Sequence, residues 1–176
     1  MVDTHAPLPL AQIDLEELAE LRSTRDGGFY DPTDGQSYHS DGDEAIGPDG
    51  NHVDPDEMGW QQTGPVESRD SYRDMETFAQ AVVDPRTSDR LLIALEGTGA
   101  FRRFLNVMYD APEKLGRLQS RYYDVRTKQH ALEWLIDEQF VVEEEGRAAL
   151  TAMIARATEI LESVATWKPT NDSAFR

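Results

Sequence analysis

Apolar residues recur at helical spacing in six stretches of the chain, and at strand-like spacing only between about residues 28 and 66. The first stretch, Ile13 to Leu21, has Leu15, Leu18 and Leu21 or Ala19 on one face. Asp14 can cap it, with Glu17 three residues on as in a capping box. From Ser71 the helical spacing dominates. Tyr72, Met75, Phe78, Ala79 and Val82 form one stripe, which Asp84-Pro85 ends; Leu91, Leu92 and Leu95 lie in a second helix from about Arg86 to Glu96. Gly97 stops that helix, and Thr98 is expected to cap a third. In that third helix Phe101, Phe104, Leu105 and Met108 fall at i, i+3, i+4 and i+7, the pattern of a core-facing side. Fully burying each is worth about 1.5–3 kcal/mol. A long helix follows from about Glu113 to Phe140, with or without a break, and a last one from about Gly146 to Trp167.

The region between residues 28 and 66 is punctuated differently. Tyr30-Asp31-Pro32-Thr33-Asp34-Gly35 and Gly47-Pro48-Asp49-Gly50 each place proline early and glycine late, as type I turns ending in a left-handed glycine require. Phe29-Tyr30, Gln36 to His39 and Ala45-Ile46 then read as short antiparallel strands, and Trp60 to Val66 as another. So small a sheet has to lean on helices. The fold class is α+β, a small N-terminal sheet packed on a mostly helical C-terminal two-thirds. The expected division is a flexible segment 1–12, one domain over 13–145, an additional amphipathic helix 146–168 and a flexible tail 169–176. Residues 40–59 read as a long acidic loop.

Charge narrows the partners. The chain carries 34 acidic against 17 basic residues, net −17. Residues 1–57 hold 15 Asp or Glu against Arg22 and Arg25, net −13, which leaves −4 for the remainder. That acidity repels phosphate backbones, so direct nucleic-acid binding is not expected. It suits a basic protein partner, or simply a soluble surface. No run approaches the ~20 apolar residues of a membrane span. The N-terminus lacks the pattern of a secretory signal, and cysteine is absent, so a cytoplasmic address is expected.

The stretch Gly97-Thr98-Gly99-Ala100-Phe101-Arg102-Arg103-Phe104 resembles uncharacterised protein family 0158, bacterial proteins without an assigned activity. Also similar are the helix Asp14-Leu15-Glu16-Glu17-Leu18, the turn Tyr30 to Gly35, the segment Tyr72-Arg73-Asp74-Met75-Glu76-Thr77-Phe78 and Ala131-Leu132-Glu133-Trp134-Leu135. The likeness spans roughly residues 13 to 142 and leaves the last helix outside. Between the glycines the family often has a basic residue where this chain has Thr98. The resemblance implies an α+β fold and supplies no reaction, cofactor or catalytic residue.

Two groups of residues are candidates for function. Gly97, Thr98, Gly99, Arg102 and Arg103 are a candidate anion-binding corner. Two cations at the positive end of a helix need a compensator: either a bound anion or the chain's own carboxylates, with Glu96 and Glu113 near in sequence. The Gly-x-Gly spacing is no dinucleotide fingerprint, since no strand precedes it and the third glycine is missing. Leu150, Met153, Ala157, Ile160 and Val164 form a stripe on the last helix, open to packing on its own domain or to a homodimer or partner interface. His39 and His52 with Asp54 or Asp56 are a conceivable metal cluster, but no ligand-like spacing supports it, and neither a metal nor a cofactor is expected. No nucleophile or acid–base set can be assembled, so catalytic residues are unknown. The leading expectation is a non-enzymatic interaction or regulatory module with an acidic surface. The alternatives are a protein binding or processing small phosphorylated anions at the Gly97–Arg103 corner, and an acidic mimic of nucleic acid.

Overall fold

Turn chemistry and helix caps account for most of the element boundaries in the computed structural model, which describes residues 5–169. By its contacts the chain forms two units. One takes the residues up to Val66 and Thr127–Met153; the other takes Glu67–Arg126 and the residues from Ile154 on. Both the expected 13–145 segment and the expected 146–168 helix are thus divided between the two units. No described helix is long and apolar enough to cross a membrane.

In the first unit, helix α1 (Leu15–Ser23) starts where expected, with the Asp14 carboxylate accepting from the Glu17 amide at 3.0 Å. Five strands follow: β1 (Gly28–Tyr30), β2 (Ser37–Asp41), β3 (Glu44–Ile46), β4 (His52–Val53) and, after the short helix α2 (Pro55–Met58), β5 (Gln61–Thr63). They form one antiparallel sheet in the order β4-β3-β2-β1-β5. The acidic loop expected over 40–59 is therefore largely regular structure. Gly42, at φ 66°, turns β2 directly into β3, and Asp54 with Pro55 starts α2.

Side chains alternate across the sheet. Tyr30 enters a core with Ile13, Leu18, Ala19, Leu132, Leu135 and Val141, where its ring meets Trp134 and Phe140 at 5.6 and 5.4 Å. Phe29 belongs to a separate cluster with Ala45 and Trp60. There Trp60 stacks on Tyr38 at 3.9 Å and donates its indole N–H to Asp31 at 2.8 Å. Arg22 lies 5.2 Å from the Trp134 ring and donates to the Thr63 hydroxyl at 2.6 Å. Residues 1–4 and 170–176 of the segments expected to be flexible lie outside the described residues. Within the rest of 1–12, Leu8 forms a parallel bridge with Val141, and Leu10–Gln12 is a turn of 3-10 helix whose first amide donates to Glu145 at 2.7 Å.

The second unit is helical. Helix α3 (Ser68–Ala81) leads to α4 (Pro85–Ala94), which Asp84 caps by accepting from the Thr87 amide and hydroxyl at 2.9 and 2.6 Å. Helix α5 (Ala100–Tyr109) follows. Helix α6 runs unbroken over Glu113–Asp137 and α7 over Glu143–Ala165, and the unit boundary falls inside each. The core collects Phe78, Leu91, Leu95, Phe104, Leu115 and Tyr122 with Ile160 and Val164. Asp74 of α3 holds Arg126 at 2.7 Å, largely out of solvent.

Candidate functional site

The glycine–arginine corner is the turn between α4 and α5. Gly97 and Gly99 both have left-handed backbones, at φ 69° and 76°. Gly99, not Thr98, is the N-cap of α5, and no side chain caps it. With a glycine able to take the left-handed conformation there, the backbone enters the helix one residue later than the sequence suggests.

Arg103 explains how a cation is tolerated in this place. Its Nε donates to the Ala94 carbonyl at 3.1 Å, and its two terminal nitrogens donate to the carbonyls of Thr98 and Glu96. Those carbonyls lie at and beyond the C-terminal end of α4, where the helix dipole is negative and unpaired acceptors collect. Neither expected carboxylate takes part. Glu96 contributes its carbonyl, and Glu113 pairs with Arg117. Arg102 is exposed. The corner therefore joins α4 to α5 through one arginine fork, with Gly97, Thr98 and Gly99 exposed around it.

The stripe on α7 lies inside the chain's own cores. Ala157, Ile160 and Val164 are buried in the second unit, at 7%, 2% and 0% exposure, and Leu150 and Met153 pack partly buried in the first. Of the two packing readings left open for that helix, this is the intrachain one. His39 and His52 do not meet Asp54 or Asp56 as a cluster. Instead His52 sits between Asp41 and Glu44, one carboxylate on each ring nitrogen at 3.1 Å. Among the described residues, no three His, Asp or Glu side chains are placed to hold a metal ion.

A different surface emerges on α5. Ala100, Phe104 and Met108 are buried, but Phe101, Leu105 and Tyr109 are exposed by 36%, 51% and 91%. Phe101 and Leu105, expected in the core, thus lie outside it. The apolar arc of α5 is wider than the core it faces. A stripe at i, i+4 and i+8 is left on the surface beside the buried one. Leu105, Met108 and Tyr109 border an open groove of about 810 Å³, whose other wall is the start of α6 with Gly116, Arg117 and Arg121.

A family model describing an Uncharacterised protein family (UPF0158) matches residues 53–162, more than half of the chain. The chain belongs to this family. The matched range begins later than the expected 13–142 and takes in most of α7, while α1 and strands β1 to β3 lie before it. The α5–α6 face lies wholly within the match. No curated protein and no solved structure matches the chain.

Proposed function

We propose that this UPF0158 member is a non-enzymatic interaction module of the cytoplasm, docking a macromolecular partner on the face of α5 and the start of α6. One observation carries the reading: Phe101, Leu105 and Tyr109 stand exposed at one-turn spacing along a single helix. Single exposed apolar residues are ordinary, whereas a continuous run of large ones beside a groove marks an interaction site. Full burial of a large apolar side chain is worth about 1.5–3 kcal/mol, of which the partly covered Phe101 and Leu105 would gain only a part; tyrosine is among the residues enriched at the energetic centre of interfaces. A reducing compartment suits a chain without cysteine.

The test is site-specific photo-crosslinking in cells carrying the full chain. A photoreactive residue at Leu105 should capture a discrete partner, while the same residue at Ala152, exposed on α7, should not. Tyr109→Asp should abolish capture from position 105. Equal capture at both positions, or capture that Tyr109→Asp leaves intact, sinks the docking face.

A further inference from the structure

The stretch of chain that carries the docking face differs in charge from the rest, although two of its basic residues, Arg103 and Arg126, are held elsewhere. Residues 100–126 hold six of the 17 basic residues and only three of the 34 acidic ones, net +3. Everything else is net −20, since −17 minus +3 is −20. Acids outnumber bases two to one overall, yet Arg102, Lys114 and Arg121 are exposed and pair with no carboxylate of another described residue. Arg117 is paired with Glu113 one turn away, both exposed, an arrangement weak enough to be exchanged for a better partner. Arg117 and Arg121 are themselves one turn apart and line the groove opposite Leu105 and Tyr109.

Gly116 adds a steric observation. It stands inside α6, where glycine is less favourable than alanine. A Cβ built on it meets nothing within 4 Å, so no neighbour among the described residues requires its absence. A helix surface without a side chain at that point lets another backbone approach closely.

Resting on the docking face proposed above, we infer that its occupant is a short acidic amphipathic helix. One apolar edge of that helix would lie against Leu105, Met108 and Tyr109, flanked by carboxylates facing Arg117 and Arg121. Phe101 and Tyr109 lie eight steps apart, about 12 Å along a helix axis, so two to three turns of ligand cover the stripe. A nucleic acid fits less well. Tyr109 is the one aromatic side chain lining the groove, beside the aliphatic Leu105 and Met108, whereas successive bases need a series of stacking platforms. A long polyanion would also run over the surrounding acidic surface, whereas a short helix keeps its charges within about one Debye length, ~8 Å, of the arginines.

The experiment pans a phage-displayed random peptide library, twelve or more residues long, on the full chain. The selected peptides are then measured by fluorescence anisotropy. Enriched sequences should place leucine or aromatic residues at three- and four-residue spacing among Asp and Glu. Their affinity should fall by roughly tenfold or more with Arg117→Glu/Arg121→Glu and with Leu105→Asp, and weaken steeply with salt. Gly116→Ala should weaken binding while raising the melting temperature, a pairing that misfolding cannot produce. Groove-dependent peptides that are neutral or basic would overturn the acidic occupant and leave the docking face standing. Peptides whose binding ignores every groove variant would overturn both. Sedimentation of the free chain tests the rival occupant: a dimer broken by Leu105→Asp would make it a second copy and overturn the peptide. Tight binding of an oligouridylate probe that is lost with Arg117→Glu/Arg121→Glu would likewise replace the peptide with a nucleic acid.

Discussion

Replacing Arg103 with alanine isolates the contribution of the fork between α4 and α5. Three donors are lost at once, one to Ala94 in a part-buried position and two to Glu96 and Thr98 in exposed ones. A hydrogen bond from a charged donor contributes about 1.5–3 kcal/mol where water is excluded, and much less in solvent. The favourable position at the negative end of α4 adds about 0.3–1 kcal/mol, and the unfavourable one in the first turns of α5 removes a similar amount. The expected loss is therefore about 1.5–2.5 kcal/mol, carried mostly by the Ala94 bond. Arg103→Lys keeps the charge but cannot span three carbonyls, so it should recover no more than about half of that loss. Arg102→Ala, in the same turn but exposed, should stay within about 0.5 kcal/mol of wild type. The assay is urea denaturation of the three variants, with and without inorganic phosphate. If Arg103→Ala matches Arg102→Ala, the fork is not structural. If phosphate stabilises wild type and loses that effect with Arg103→Ala, the corner is an anion site and the reasoning fails.

Three further outcomes follow from the geometry. The Thr87 hydroxyl and then its amide hold the Asp84 carboxyl below its ordinary value of 3.8. A depressed folded-state value means the stabilisation is present above about pH 4 and lost as pH falls through the lower folded value. Asp84→Ala should therefore be less stable than wild type near neutrality, with a gap that closes in acid; a gap independent of pH in urea titrations refutes this. Burial, with Asp34 and Asp31 adding repulsion, pushes the Tyr30 phenol far above its ordinary value of 10, so its contribution is complete below pH 10 and lost as pH rises beyond it. The Tyr30 hydroxyl makes no hydrogen bond to any described residue, so Tyr30→Phe should match wild type or gain up to about 1 kcal/mol near neutrality and should resist alkaline unfolding, as denaturation at increasing pH will read. Gly28 leaves no room for a side chain: a Cβ would lie 2.3 Å from the Tyr38 carbonyl and 2.7 Å from a Leu21 methyl. Gly28→Ala should cost about 1–3 kcal/mol in chemical denaturation, and an unchanged midpoint would show that α1 and the sheet can separate freely.

Local chemistry along the chain accounts for several of the elements. Asp14 with Glu17 and the glycines at 35 and 50 act within a few residues of themselves, so that cap and those turns are legible without a fold; Asp84-Pro85 marks a boundary in the sequence, but the cap it gives α4, and Gly99 in place of Thr98 on α5, are seen only in the structure. The α+β class followed from where helical spacing gives way to paired turns. The destination of each apolar side chain depends instead on the packed fold. Phe101 and Leu105 share a helix and a hydrophobic character with Phe104 and Met108. Only the width of the core facing α5 settles which pair is covered. The α7 stripe went the other way, into the two cores, because both core regions needed its side chains. Arg103 is likewise settled by geometry rather than by spacing: it meets the Ala94 carbonyl at the end of α4 and those of Glu96 and Thr98 in the turn that leads into α5. Spacing along one chain specifies which residues share a face; it does not specify how many neighbours the rest of the molecule brings to that face. On α5 that number falls short of the apolar surface presented, and the uncovered remainder is the candidate site.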